Sequence, residues 1–481
     1  MTAVAITFLA CLACFALIGA ASVRRSQPTT VDYLVAGRSV SPWLTGLSSA
    51  ATNNSGFMFI GLFGFAYRYG VQAIWLQLGW ILGDVAAWLW VHRRVREYSA
   101  EHDVASVPRL LGTAPGGRVS RPIMVVAGLL TFVFLSGYAA AQLKAGSATL
   151  TGMFGWAPSI GVVLGAVIVV TYCFAGGLRA SIWTDAAQAI VMLVALLALL
   201  GYAVASVGGP VALERALAAA DPALVDWVPR SLRFGFAVYF VGFVFGGLGA
   251  VGQPHILVRS MAVRSPASIA LAGRVYFAWY VPFSIAAVTA ALYARVLLPD
   301  LLVGVEPGAA AMVAEQSLPA VATLLLPKVL LGVLLAGVFA ATMSTADSQI
   351  LSCSAAVTQD VWPRLARSVV ASKLATLTVA ALATLIALWA SADVFGLVLG
   401  AWSALGAALG PVLLIRLARL PLPTAVGLAM MAAGLATVTW WSRGPYAGAA
   451  FELLPGFVVP LAIYGVFLAA APRVMSASRR R

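Results

Sequence analysis

The sequence predicts an all-α polytopic membrane protein of about thirteen transmembrane helices, and three observations carry that prediction. Hydrophobic residues make up 62% of the 481-residue chain and charged residues only 10%, too few to coat a water-soluble fold. The apolar material comes in blocks long enough to cross a hydrocarbon core of about 30 Å, which takes roughly 20 residues of helix. The alternating apolar–polar pattern of a membrane barrel is absent, and lipid offers no partner for the open backbone groups of anything but a helix or a closed barrel.

Taken in order, the blocks place the first helix from about Val4 to Ser22, the second from Pro42 to Tyr69 and the third from Val71 to Trp90. The fourth covers Ile123 to Gly146, the fifth Ala157 to Phe174 and the sixth Ser181 to Ser206. The seventh covers Phe234 to Gln253 and the eighth Ile269 to Leu298, while the last five begin near Val329, Leu374, Val394, Thr424 and Gly456. Cys11, Cys14, Cys173 and Cys353 all fall inside these blocks, where they read as small packing residues and not as a disulfide or metal framework. Ala-rich stretches in the two longest loops, about Gly208 to Arg233 and Pro299 to Pro327, predict short helices there.

Basic residues sort by loop. Arg24, Arg25 and Arg38 follow the first helix, and Arg93, Arg94, Arg96, Arg109, Arg118 and Arg121 follow the third. Later odd-numbered helices are followed by Arg259 and Arg264, by Arg364, Arg367 and Lys373, by Arg416 and Arg419, and by the run Arg479 to Arg481. The alternate loops hold mainly Arg68, Arg215, Arg230, Arg295, Lys328 and Arg443. The bias predicts a bacterial inner-membrane protein with its amino terminus outside and its carboxyl terminus in the cytoplasm. Positive charge follows the first apolar stretch instead of preceding it, which argues against a cleaved signal peptide. The net charge of +14 is accounted for in this way; no basic stripe is interleaved with aromatics, so the expected partner is the lipid bilayer and not nucleic acid. No soluble domain, kinase or nucleotide-binding motif is evident, so neither an enzyme nor an ATP-driven pump is expected.

Two spans carry features that a purely structural helix avoids. In the second, the run from Leu47 to Gly56 (LSSAATNNSG) is small and polar near the middle of the crossing. Ser, Thr and Asn compete for backbone groups there, and Gly weakens the helix further. In the seventh, Gly246, Gly247, Gly249 and Gly252 precede Pro254. Close helix packing uses the same small residues. Breaks in matching positions of two halves, however, mark inverted-repeat transporters, with the binding site at the breaks.

The chain resembles the sodium:solute symporter family, most closely its sodium/proline symporters, from Asp32–Ser39 (DYLVAGRS) nearly to the last helix. The most specific pieces are Gly176-Gly177 with Trp183-Thr184-Asp185, then Gly252–Arg259 (GQPHILVR), Ala340–Leu351 (AATMSTADSQIL) and Gly406–Val412 (GAALGPV). The resemblance implies a leucine-transporter-like five-plus-five inverted repeat and a solute importer coupled to one or two Na+. The corresponding division is 1–41 for the first helix and loop, 42–206 and 207–417 for the repeat halves, and 418–481 for two peripheral helices and a basic tail.

A carboxylate in a membrane helix costs about 2.5–3.5 kcal/mol on insertion scales, so each one needs a reason. Asp185 lies at the start of the sixth helix, and Ser344, Asp347 and Ser348 share one face of the ninth by their i, i+3, i+4 spacing. With Thr345 and carbonyls freed by a break, they make a set of hard oxygen donors suited to an alkali cation. The alternative is that the hydroxyls bond back to their own helix while each Asp pairs with a loop Arg. The resemblance implies a main sodium site of Ala51, Asn54 and Ala341 carbonyls with the Ser344 and Thr345 hydroxyls, and a second, lower position at Asp185, Ser344, Asp347 and Ser348. One departure is Asn53, where the proline symporters carry an Asp.

For the solute, the expected lining is Ser49, Asn53, Ser55 and Gly56 at the first break, Tyr138 and Gln142 on the fourth helix, and Gly246, Ala250 and Gln253 at the second break. The proline symporters hold large aromatics where Gly246 and Ala250 stand, so the pocket is expected to be roomier or differently lined. Lys144 snorkels to the outer interface, pairs with Asp84, or holds a substrate carboxylate. His255 is expected to satisfy a helix end. Proline or another amino acid is the leading cargo; a monocarboxylate or pantothenate, with sodium or proton coupling, is the alternative. A transporter-like solute sensor and a channel are the other classes.

Overall fold

Eleven apolar helical stretches in the computed structural model, which describes residues 2–389 and 394–478, are long enough to span a bilayer. The terminal run Arg479–Arg481 lies outside the described residues. Two of the eleven turn back within their length, so the described residues form thirteen crossings, the second of them completed by the separate segment Pro42–Asn53. These are α1 (Thr2–Val23), α2 (Pro42–Asn53 continued by Gly56–Phe59 and Gly61–Tyr69), α3 (73–101), α4 (Arg121–Phe154), α5 (158–176) and α6 (178–207). Next come α7 (Gly235–Leu248, Gly249–Gly252 and Pro254–Ala262), α8 (Ile269–Leu297) and α9 (Lys328–Ala355 with Ala356–Val361). The last four are α10 (Val369–Trp389), α11 (Val394–Leu417), α12 (Thr424–Arg443) and α13 (Leu453–Ser478).

The reversals are made by glycines. Gly70, at φ 69° and ψ −145°, ends α2, and α3 returns antiparallel, so Asn53 meets Asp84 and Phe57 meets Trp80. Gly177, at φ 55° and ψ −143°, separates α5 from α6. Along α9, Met343 then Asp347 meet Gly165 then Tyr172 of α5, whereas Gly337 then Asp347 meet Met192 then Ser181 of α6, so these two helices run in opposite directions. A Cβ at Gly177 would overlap the backbone carbonyl oxygen of Tyr33. Gly177→Ala is therefore expected to lower stability by at least the ~1–3 kcal/mol of a strained backbone, read as a depressed unfolding midpoint of the detergent-solubilised protein.

Both expected breaks are present, at narrower positions than the polar runs suggested. α2 stays helical through Asn53 and opens at Asn54 and Ser55. The Asn54 amide turns back to donate to the Ala50 carbonyl at 2.9 Å, and the Ser55 hydroxyl accepts from the Phe57 N–H at 3.2 Å. Side chains thus replace the missing helical bonds, the competition expected of these residue types. In α7, residues Gly249–Gly252 tighten to a 3₁₀ turn, Gln253 is extended, and Pro254 restarts the helix, as the restriction on a pre-proline residue and the fit of proline at a helix start require.

α3 continues to Glu101, well past the expected end at Trp90, through a π-bulge at Ala87–Val91. Hydropathy falls at His92 but the helix does not end: it leaves the apolar layer as a charged segment whose Arg96 donates to the Val263 carbonyl at 2.6 Å. Short helices at Pro210–Ala220 and Ser317–Leu325 fill the two long loops, as expected. The basic loops gather on one face. Arg38 pairs with Asp103 at 2.8 Å, Arg179 with Asp32, Arg419 with Glu101, and Arg94 donates to the Leu417 carbonyl at 3.2 Å. α9 and α11 are the most enclosed crossings, while α1, α10, α12 and α13 present most of their surface outward.

Candidate functional site

Where α2 opens, α9 passes it. The Ser344 hydroxyl lies 3.2 Å from the Ala51 carbonyl and 3.2 Å from that of Ala341. The Thr345 hydroxyl lies 3.0 Å from the Thr52 carbonyl and 3.1 Å from Ala341. Five oxygens from two helices therefore converge, three carbonyls and two hydroxyls, all in fully or almost fully buried residues. Four belong to the set expected from the sequence. The fifth oxygen is the carbonyl of Thr52, where the expected set had the carbonyl of Asn54. A cluster of neutral, hard oxygens with its hydroxyl protons free to rotate suits a monovalent alkali cation.

One turn below, α6, α9 and α7 bring Asp185, Asp347, Ser348 and Arg259 together, all fully buried. Asp185 Oδ2 accepts from Arg259 Nη2 at 2.8 Å and from the Ser48 hydroxyl at 2.7 Å. Arg259 also reaches Ser348, Ser181 and the His255 carbonyl, and its Nε donates to Ser48 at 2.8 Å. Asp347 accepts from the Tyr172 hydroxyl at 2.7 Å, from Ser181 at 2.9 Å and from Ser348 at 2.6 Å. At the expected lower cation position a guanidinium of the protein itself lies beside Asp185. Arg259 counted in the sequence as a loop charge. It is buried because α7 restarts at Pro254 and carries Arg259 one turn past His255, inside the bundle.

Around the break, Gln142 accepts the Gly56 N–H at 3.2 Å through Oε1, and its Nε2 has no partner among the described residues. Tyr138 bonds Ser55 and meets the edge of the His255 ring, centroids 5.8 Å apart. Neither ring nitrogen of His255 has a partner among the described residues, so it does not satisfy a helix end as expected. Ser49 is buried in the regular part of α2 with its hydroxyl unpaired. Asn53 bonds Asp84 at 2.8 Å and also Tyr276. Gln253 is turned to the Trp402 carbonyl at 2.9 Å, and Ala250 is buried in the 3₁₀ turn beside it. Lys144 is not the partner of Asp84; it lines a separate cavity of about 460 Å³ with Ser147, Thr151 and Pro158.

Gly246 lies against an aromatic side chain from another helix. Trp80 of α3 fills the space: a Cβ on Gly246 would stand 2.5 Å from Trp80 Nε1. The indole stacks between Phe57 (5.4 Å, 8°) and Trp402 (5.6 Å, 11°), whose own Nε1 donates to the Gly246 carbonyl at 2.9 Å. This stack meets an aromatic cavity of about 360 Å³ on the face away from the arginines, walled by Phe65, Tyr69, Tyr239 and Phe451. Gly246→Trp is expected to abolish solute uptake, overpacking the stack by about 1–3 kcal/mol, while membrane abundance stays normal. Adding Trp80→Gly should restore part of the uptake, measured with labelled solute in intact cells.

Thirteen crossings among the described residues, two of them broken and one break opening onto a buried oxygen cluster, define a secondary transporter. The chain belongs to the sodium:solute symporter family, whose profile matches residues 33–419. It is similar to the sodium/proline symporter of Escherichia coli, 31% identical over 444 residues covering 90% of this chain and 86% of that one. It is also similar to a high-affinity proline transporter of Bacillus subtilis, 29% identical over 92% of this chain and 93% of the other. In structure it resembles a substrate-bound, outward-open Na+-coupled sialic acid symporter, with a TM-score of 0.79 at 18% identity over 97% of each chain. A nucleobase-cation-symport-1 family transporter shares the fold more distantly, with a TM-score of 0.54 at 14% identity over 91% of this chain and 95% of the other. The expected leucine-transporter-like fold is the fold found.

Proposed function

We propose that the protein imports a small organic solute, proline first among candidates, driven by sodium moving down its gradient. The observation that carries this is the meeting of the Ala51, Thr52 and Ala341 carbonyls with the Ser344 and Thr345 hydroxyls, where a broken helix leaves oxygens for an ion. The arginine-rich face is cytoplasmic in this reading, and the aromatic cavity opens outward. Sodium enters beside the solute, satisfies the open oxygens of α2 and favours closure of the broken helices around both. Below it, Asp185 is paired with Arg259, and Asp347 is held by the hydroxyls of Tyr172, Ser181 and Ser348. The sodium/proline symporters among its relatives support the choice of ion and solute. Labelled proline uptake into proteoliposomes, with and without an inward sodium gradient, tests the proposal. Accumulation that requires sodium is the expected result, and accumulation that follows only a pH gradient would replace sodium with protons.

A further inference from the structure

Asp84 is a carboxylate in the membrane interior with no cation of its own. It is 3% exposed, and its Oδ2 accepts from Asn53 Nδ2 at 2.8 Å and from the Tyr276 hydroxyl at 2.6 Å, both neutral groups. No basic side chain pairs with it among the described residues. Among the described residues, the other titratable group close by is the Tyr280 hydroxyl, which bonds Gln77 at 2.9 Å. Arg259 is taken up by Asp185, and Lys144 lines a different cavity. A buried carboxylate held by neutral donors alone is costly, and either a proton or a mobile cation relieves that cost.

Its position says which cation. Trp80 and Asp84 lie at i and i+4 of α3, and the residues of α2 that they meet, Phe57 and Asn53, are also four apart. Asp84 and Asn53 thus form the layer directly beneath the aromatic stack that floors the outer cavity. Two buried donors without acceptors among the described residues also stand near this stretch of α2: Gln142 Nε2 of α4, whose amide oxygen takes the Gly56 N–H, and Trp80 Nε1 of α3, on the indole stacked against Phe57 and facing Gly246. The outer cavity has Glu452 on its wall and no basic residue among the described ones. One negative group and two empty donors around one break describe a ligand that is positive at one end and an acceptor at the other.

We propose that Asp84 is the counter-ion for a protonated amine on the solute, so that the transporter selects amine-bearing zwitterions over plain carboxylates. The proposal rests on the sodium-coupled uptake described above. The solute's amine replaces the missing cation at Asp84, and its carboxylate meets the empty donors on the side of the sodium cluster. Asn53 and Tyr276 are positioning residues that hold Asp84 Oδ2 and leave Oδ1 to the ligand.

The test uses the full chain in proteoliposomes with an inward sodium gradient and two matched pairs of probes, L-proline with cyclopentanecarboxylate and L-alanine with propionate. Sodium-driven uptake is expected for an amine member, with its amine-free twin competing at least ~100-fold more weakly, since a site built for a charged hydrogen bond rejects the analogue lacking it. Asp84→Asn should raise half-saturating proline at least ~10-fold, the scale of a lost charge-assisted bond, and should narrow the gap between twins. Its half-saturating sodium should stay close to wild type. Tyr276→Phe, which keeps the carboxylate, should shift the same ratio more mildly and serves if Asp84→Asn does not assemble. Equal handling of the twins by the wild type overturns the inference and leaves sodium coupling standing. A change in sodium requirement with unchanged solute selectivity in Asp84→Asn also overturns it, by making Asp84 an ion site. No sodium-driven uptake of any probe overturns both readings.

Discussion

Arg259→Met is expected to remove most of the assembled protein from the membrane, and Asp185→Asn in the same chain is expected to bring much of it back. Both side chains are fully buried, and their 2.8 Å pair is held by Ser48 and Ser348 as well. Taking away one partner of such a pair typically costs roughly 3–5 kcal/mol, because the remaining charge is left without compensation. Neutralising both leaves shape and removes the charge problem, so the double variant lies nearer the wild type than either single one. Monodisperse yield and unfolding midpoint in detergent, read as a double-mutant cycle, check this. Two single losses that sum to the loss in the double variant would show that the pair is not a stability unit. The clamp also has a functional side. Arg259 joins α7 to α2, α6 and α9 beneath the oxygen cluster, so any route to the arginine-rich face must part it. The recovered double variant should accordingly leak sodium in the absence of solute, measured as ²²Na efflux from loaded proteoliposomes.

Much of this architecture is legible in the sequence because membrane crossings announce themselves by length and hydropathy. The breaks are legible for a local reason as well: Asn54, Ser55 and the Gly-Gln-Pro step at 252–254 carry side chains that compete with the helix or cannot continue it. Ser344, Asp347 and Ser348 could be placed on one face of α9 by spacing alone. What spacing cannot give is which distant helix faces which. Trp80 reads as one more apolar residue of α3, yet it fills the space that Gly246 leaves on α7, more than 150 positions away. Arg259 reads as a loop charge until the restart of α7 places it in the bundle. Asn53 reads as the loss of a carboxylate from α2, and the structure brings Asp84 of α3 to that same side chain. In each case the deciding fact is a packing partner from another part of the chain. The one sequence-level hint was negative: Asp84 is the sole acid of its helix within the apolar layer.

Ser344→Ala should raise the sodium concentration needed for half-maximal uptake by ~10–150-fold, taking the cost of one lost charge-assisted oxygen contact as roughly 1.5–3 kcal/mol. The hydroxyl stands between the Ala51 and Ala341 carbonyls, 3.2 Å from each, so its removal takes one of five donors and unties α9 from the open end of α2. Thr345→Val, which keeps volume but deletes the oxygen between Thr52 and Ala341, should act the same way. Thr345→Ser, which keeps the oxygen, should stay near the wild type. The comparison separates an ion ligand from a packing contact, because a packing role would be served by Val and harmed by Ser. Sodium titration of labelled-solute uptake is the measurement, with half-saturating solute recorded at saturating sodium. An ion ligand moves the first quantity strongly and the second weakly, since at saturating sodium the ion is bound again and the broken segment of α2 returns to its closed arrangement. Unchanged sodium dependence in both Ser344→Ala and Thr345→Val would place the coupling ion elsewhere, and the convergence of these five oxygens would then be a helix–helix contact alone.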